Sequence, residues 1–450
     1  MALVGGSRLA VRSWVVRFQK GFGLEMVGTD PRHDPYEALR SPGFRRLLSG
    51  SMLATIAAEI QTVALGWEIL RRTNSPFALG LVGLVQVAPV ILLSLPAGHI
   101  ADQFPPQRIL MAAQLTTALM SLAIAGCCAI GSPVSWIYVF LAISACATAM
   151  ALPSRSSLLP RVVPMQAFAN AVSWRTSGWQ LAAIAGPGLG GIGLALVTTV
   201  VPLILISSSL FIVVAFILGG IRPREVETRR EPMSIQSLLA GARFVRSDSR
   251  ILGAITLDLF AVLLGGATAL LPLFARDILD VGRMGLGWLR AAPPLGATIM
   301  ALVMVHRPPL KRPGRVLLFC VAGFGAATIV FGLSRNPILS FAMLMLTGAF
   351  DNISVVIRGT LVQLLTPDAM RGRVAAVNSV FVSLSNEFGA FESGLTASLW
   401  GPVGSVVAGG FGCLGVVLGA TIFAPSLRDI GPLVSEAERQ KDLRPAAKTG

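Results

Sequence analysis

Charge is scarce in this 450-residue chain: Asp, Glu, Lys and Arg make up 13% of it, against 54% hydrophobic residues. A soluble protein carries about 25% charged residues. So little charge excludes an ordinary water-facing surface and places the chain in the membrane class. Histidine is rarer still. His33, His99 and His306 are the only three, too few for a His-based centre, so no metal site is expected. The five cysteines, Cys127, Cys128, Cys146, Cys320 and Cys413, are odd in number and lie in apolar runs without CxxC spacing. That argues against a disulfide framework and makes them small packing residues. Two tyrosines give thin support for an aromatic cage around a cation. No GK[ST] follows a glycine-rich stretch, which excludes a phosphate loop. Neither HExxH nor a Ser/His pair is present at the spans. No enzyme activity and no cofactor are expected.

Acids are also short relative to bases, 22 against 37, for a net charge of +15. The arginines sit in short gaps between apolar runs, and no folded basic domain stands apart. A nucleic-acid partner is therefore not expected; basic loops are what membrane insertion requires.

What the chain does have is apolar runs. A helix needs about 20 mostly apolar residues to cross a bilayer, and backbone groups inside it must bond internally. Twelve runs qualify, at 47–70, 79–102, 109–131, 134–153, 167–197, 200–221, 251–275, 284–305, 315–333, 337–357, 374–399 and 402–424. With the N-terminus inside, thirty of the 37 Lys+Arg fall in the tails and even-numbered loops and five in the opposite loops, leaving Arg175 and Arg290 within spans. That asymmetry sets both termini in the cytoplasm.

Residues 1–44 read as a disordered cytoplasmic tail. Its first part holds Arg8, Arg12, Arg17 and Lys20, no acid before Glu25, and no apolar core of a signal peptide. A weak amphipathic surface segment and a translation start at Met26 are the other readings. Residues 222–250 form the longest loop. Ile235, Leu238, Leu239, Ala242 and Val245 recur there at helical spacing, which predicts a short amphipathic helix joining two halves. A cytoplasmic tail, 425–450, closes the chain.

The sequence repeats itself. Arg155 aligns with Arg358 at an offset of 203, bringing Leu158 onto Leu361 and Pro164 onto Pro367; "PQRIL" at 106–110 matches "PGRVL" at 313–317. Loops after spans 2 and 4 thus match loops after spans 8 and 10. Two six-helix halves in the same orientation, 45–221 and 251–424, fit this pattern. The charged segments at Arg155 and Arg358 are expected as cytoplasmic hairpin loops, with Pro164 and Pro367 stopping the preceding structure. Their charge either sets topology or forms a gate between the halves.

Three stretches carry a family resemblance: "GHIADQFPPQRIL" from Gly98, "GPGLGG" from Gly186, and the segment from Arg358 continuing into "SLSNEFGAFESG", together with "PSRSSLLPRVVP". Over about 40–430 the chain resembles the major facilitator superfamily, and in the third stretch its branch containing the enterobactin exporter and macrolide efflux proteins. The resemblance implies an all-α fold of twelve transmembrane helices. It also implies a cytoplasmic gate in which Asp102 docks on the start of helix 11. Gly98, Asp102, Arg108, Arg155, Arg358, Arg371 and Arg373 are the gate candidates. Pro106 stands where the signature usually has arginine, and Pro309 stands opposite Asp102 in the second half, so the two gates are not equivalent.

Ionisable residues inside spans are expensive and tend to face a cavity. Glu59, Arg175, Asp258, Arg290, Asp351, Glu387 and Glu392 are such residues and are the proton or substrate pathway candidates. The resemblance places spans 1, 4, 7 and 10 around the cavity, hence Glu59, Asp258 and Asp351. Glu59 lies roughly 18 Å into its span; a proton or substrate role and a structural hydrogen-bonding role are both open for it. Asp351 and Arg358 share a helix face, which fits an internal pair. Gly186, Pro187, Gly190 and Gly191 form the span-5 motif, either close helix packing or a hinge and seal. The resemblance implies a bacterial inner-membrane exporter, working as a monomer, that exchanges protons for a small organic molecule, a siderophore-like metabolite or a drug. A lysophospholipid or other lipid transporter and an importer of the same fold are the alternatives.

Overall fold

The computed structural model describes residues 34–223, 235–307, 310, 312–367, 370–423, 425–428 and 430–431. Six long helices come first: α1 Pro42–Thr73, α2 Pro76–Gln103, α3 Pro106–Ile130, α4 Val134–Val162, α5 Phe168–Leu196 and α6 Val201–Gly219. A short helix follows, α7 Ile235–Ser247, then α8 Ser249–Leu264, whose span continues through a 3-10 turn and a π-helical turn to Ile278. Next come α9 Gly282–Val305, α10 Pro313–Leu333 and α11 Pro337–Leu365. The last apolar stretch, Arg371–Phe423, breaks at Gly401, where φ is 76°. It is therefore two helices, α12 over 371–400 and α13 over 402–423. Twelve apolar helices result, and the chain is a multi-pass membrane protein.

The ends of these helices follow from local sequence. Proline opens α1, α2, α3, α10 and α11, a position where its missing N–H is not needed and its fixed φ suits the first turn. Ser41, Ser75 and Asn336 cap three of them by accepting bonds from backbone N–H groups of the first turn. Asn74 and Gly131 end α1 and α3 in the left-handed conformation.

Two expected boundaries move. Spans 4 and 10 were expected to stop near 153 and 357, yet α4 runs to Val162 and α11 to Leu365. Pro153 and Pro160 remain inside α4. The helix passes both because each proline removes only one backbone donor, and neighbouring helices and side chains absorb the defect in a membrane bundle. Arg155 and Arg358 therefore lie on helices and are not hairpin-loop residues. The expected disordered tail is also shorter than 1–44. Residues 34–41 dock on the start of α5: Asn170 and Trp174 both donate to the Pro35 carbonyl, at 2.8 and 3.0 Å, and the Tyr36 ring lies tilted against Trp174 with centroids 6.0 Å apart. The rest of that expectation, 1–33, lies outside the described residues, as does most of the C-terminal tail.

The linker helix α7 forms, and its expected stripe is split. Gly241 and Val245 are buried, whereas Leu239 and Ala242 are exposed. Gly241 lets the helix sit against the Arg373 carbonyl of α12; Ile235 and Leu238 have side chains outside the described set.

Packing divides the helices. In the first half α1 packs on α5 and α6, α2 on α4, and α3 on α4 and α6; in the second, α9 packs on α11, and α10 on α11 and the α12–α13 pair. Two further seams join the halves, α5 on α9 and α2 on α12. These are spans 5 and 8, and spans 2 and 11, so each seam is the image of the other under a six-span shift.

The cores follow the same division. At the end where α1 finishes, one core is shared by both halves: Leu65, Ile69, Leu194, Phe274, Leu286, Phe331 and Ala397 all belong to it. At the other end the cores separate, one around Phe44, Leu110, Leu158 and Leu218, the other around Ile251, Leu317, Ile357 and Val374. A molecule with one core at one end and two at the other is a cleft.

Candidate transport cavity

The cleft holds a cavity of about 1040 Å³ lined by both halves. Apolar walls come from α1, α2, α4, α5 and α6, with residues such as Met52, Leu152, Trp179 and Phe211. Polar groups are interspersed with them. Gln61 of α1 accepts from Ser121 of α3 at 2.7 Å, and Gln86, Gln114, Thr148 and Asn386 line the same space. A hollow whose apolar walls carry many polar groups can take an amphiphilic small molecule, the apolar surface supplying burial and the polar groups fixing orientation.

Among the described residues, five charged ones line this cavity: Glu59, Arg155, Arg175, Arg290 and Glu387. Glu59 of α1 and Arg290 of α9 form an ion pair at 3.3 Å across the halves. Glu387 stands near them on α12. Its backbone carbonyl packs against Gly83 of α2, where a Cβ would come within 2.6 Å.

The span-5 glycines explain how the closed end is made. A Cβ on Gly186 would meet Glu59 at 2.6 Å, and one on Gly191 would lie 2.6 Å from the Cα of Gly287 on α9. The Pro187 carbonyl presses on Gly287 in the same way. Gly80 and Gly394 repeat this backbone-to-backbone approach between α2 and α12. Small residues let helices approach closely, and here they do so at both seams.

The other sequence-selected residues separate from the cavity. Asp258 and Arg358, both about 5% exposed, form an ion pair inside the second half. Arg358, expected in the cytoplasmic gate, is thus committed to α8. Asp351 lies beside the same small hollow as Asp258, with Cys320 and Phe350. The set Glu59, Asp258 and Asp351 is split, because Asp258 and Asp351 turn inward to their own bundle. Glu392, one turn and a residue beyond Glu387, does not line the cavity. Among the other gate candidates, Gly98 is buried in α2, Arg108 and Arg371 are exposed at the open end, and the Arg373 backbone supports α7. The side chain of Asp102 lies outside the described residues.

Three polar clusters at the closed end escaped the sequence reading. Glu68, 2% exposed, is held by Arg71 at 2.7 Å and Arg72 at 2.6 Å. Arg72 also donates to the carbonyls of Cys128 and Ser132. The i, i+3 and i, i+4 spacing of these three was a legible signal. Arg276 reaches Asn74 of the other half at 2.5 Å. Arg283 donates to the Val197 carbonyl at 2.8 Å and lies 5.9 Å from the Trp67 ring centroid. Those contacts join distant segments and leave no local pattern.

A family model described as a transmembrane secretion effector matches residues 33–431. The chain belongs to this family of the major facilitator superfamily. The enterobactin exporter EntS of Escherichia coli O1:K1 / APEC is 26% identical over 388 residues, covering 84% of this chain and 91% of the relative. EntS of Escherichia coli O139:H28 (strain E24377A / ETEC) matches to the same extent. Among solved structures, a bacterial homologue of the human lysosomal transporter Spinster, inward-facing and unoccupied, superposes with a TM-score of 0.64 at 16% identity, covering 92% of this chain and 99% of that one. The nucleoside transporter NupG superposes with a TM-score of 0.62 at 13% identity, covering 86% and 98%. These likenesses establish the major facilitator fold for a chain of a bacterial transporter family.

Proposed function

We propose that this protein is a secondary transporter of the bacterial inner membrane that exports a small organic molecule, siderophore-like or drug-like, in exchange for protons. The observation that carries this reading is the cavity: it lies between the halves, is sealed at one end by paired glycines, and is spanned near that seal by Glu59 and Arg290. The likeness to enterobactin exporters supports the direction and the substrate class.

The open end carries the beginnings of α1, α3 and α5 and, among the described residues, most of the arginines. The positive-inside rule supports a cytoplasmic position for that end, and on that reading this structure is the inward-facing state. Alternating access then requires the seams α2–α12 and α5–α9 to part while the open ends of the halves close. Our hypothesis for coupling is that a proton on Glu59 or Glu387 loosens the bond across the halves through Arg290. A proton moving down a membrane potential of 100 mV supplies about 2.3 kcal/mol.

The deciding experiment compares a deletion strain with its parent, measuring metabolites in cells and medium separately, with and without iron limitation. A compound that accumulates in the mutant and disappears from its medium is the expected result. A compound depleted in cells and left in the medium would overturn export in favour of uptake. Unchanged solutes with altered phospholipids would move the assignment to lipid transport.

A further inference from the structure

Arg155 and Arg175 both line the cavity, from α4 and α5, and neither has an acid partner among the described residues. Arg155 lies seven residues before the end of α4 and Arg175 seven after the start of α5, each about 10 Å from the open end at 1.5 Å per residue. Glu59, by the same measure, is about 26 Å from that end. The cavity therefore has two levels: two guanidinium groups toward the mouth, and the carboxylates with Arg290 toward the seal.

Two like charges facing one hollow repel each other and need a counter-ion. Arg290 has Glu59, Arg358 has Asp258, and Arg72 has Glu68. Arg155 and Arg175, exposed to the hollow, have no such acid among the described residues. Trp179 lies one turn beyond Arg175 on α5, lines the same cavity and is 56% exposed. Thr148 and Leu152 continue the Arg155 face of α4. Guanidinium groups recognise carboxylates and phenolates through paired N–H donors, and an indole face receives a flat ring.

We infer that Arg155 and Arg175, with Trp179, form an anion-binding site at the mouth of the cavity, and that its ligand is an aromatic organic anion. This rests on the transport reading in that the ligand is the cargo on its way to the deeper level. The site lies outside the Glu59–Arg290 pair, so anion capture and proton exchange occupy different levels.

The test uses purified full-length protein in nanodiscs of phosphatidylcholine, with 2-hydroxybenzoate as the anionic probe and 2-hydroxybenzamide as its neutral counterpart. Wild type is expected to bind the acid at least about tenfold more tightly than the amide, equivalent to about 1.4 kcal/mol. Arg155→Gln and Arg175→Gln are expected to abolish that preference, and Trp179→Ala to weaken both probes alike. Arg155→Lys and Arg175→Lys retain charge and serve if a Gln variant fails to fold. Equal binding of acid and amide to wild type, or Gln variants that keep the preference, would overturn the site. Lysophosphatidylglycerol that displaces the acid and binds more tightly would reassign it to a lipid headgroup. Export seen in cells without the binding preference removes this site and leaves the transport reading; binding without transport in proteoliposomes does the reverse.

Discussion

Glu59 of α1 and Arg290 of α9 meet at 3.3 Å near the sealed end of the cavity, and each is about a quarter to a third exposed. Their pairing joins the two halves at the point where they would have to separate. Under the proposed exchange of substrate for protons, parting of this pair is the step that links proton entry to opening. Glu59→Gln keeps the shape and removes the charge. The expected outcome in proteoliposomes is a fall of at least about tenfold in pH-gradient-driven export, with substrate exchange in the absence of a gradient retained. If gradient-driven export is unchanged in this variant, Glu59 has only a structural role.

The glycine seams lead to a mechanical prediction. Gly191 and Gly287 face each other with no room for a side chain on either. Overpacking of this kind costs about 1–3 kcal/mol, and the strain exists only while the seam is closed. Gly191→Leu is therefore expected to shift the population toward the state open at the opposite end. A cysteine placed at Gln86, on the cavity wall, reports this. Its labelling by an impermeant thiol reagent from outside the cell should rise several-fold in the Gly191→Leu background. Unchanged labelling would mean that the seam does not control access.

Much of this architecture could be read from the sequence, because apolar length and charge asymmetry are local and strong. Twelve spans and the internal repeat belong to that class; for "GPGLGG" the sequence left close packing and a hinge or seal both open, and the structure shows the close packing against α1 and α9. The misread elements share one cause. The sequence marks Arg155 and Arg358 as charged punctuation in an apolar chain, but whether a charge ends a helix or hides in one depends on a partner elsewhere. For Arg358 that partner is Asp258, a hundred residues earlier. For Arg155 it is the open cavity. In the same way Asp258 and Asp351 satisfy the rule that in-span charges face inward, but inward here means the second bundle and not the space between bundles. The Arg276–Asn74 contact could not be foreseen, since it joins residues 202 apart and Arg276 already has the adjacent Asp277 as a local partner.

The Asp258–Arg358 pair carries a stability prediction of its own. Both side chains are nearly inaccessible, 7% and 5% exposed, and Val362 and Leu257 pack in the same core. A buried pair gains little over an apolar replacement, but removing one partner strands the other's charge at a cost of about 3–5 kcal/mol. Asp258→Asn and Arg358→Met are each expected to lower thermal stability in detergent by this mechanism. The double variant Asp258→Leu/Arg358→Met is expected to recover most of the loss, because no charge remains unpaired. Thermal unfolding followed by size-exclusion chromatography measures all three. Export by the double variant separates the roles further: transport restored along with stability marks the pair as structural. A stable double variant that does not transport would instead place the pair in the transport cycle, despite its distance from the central cavity.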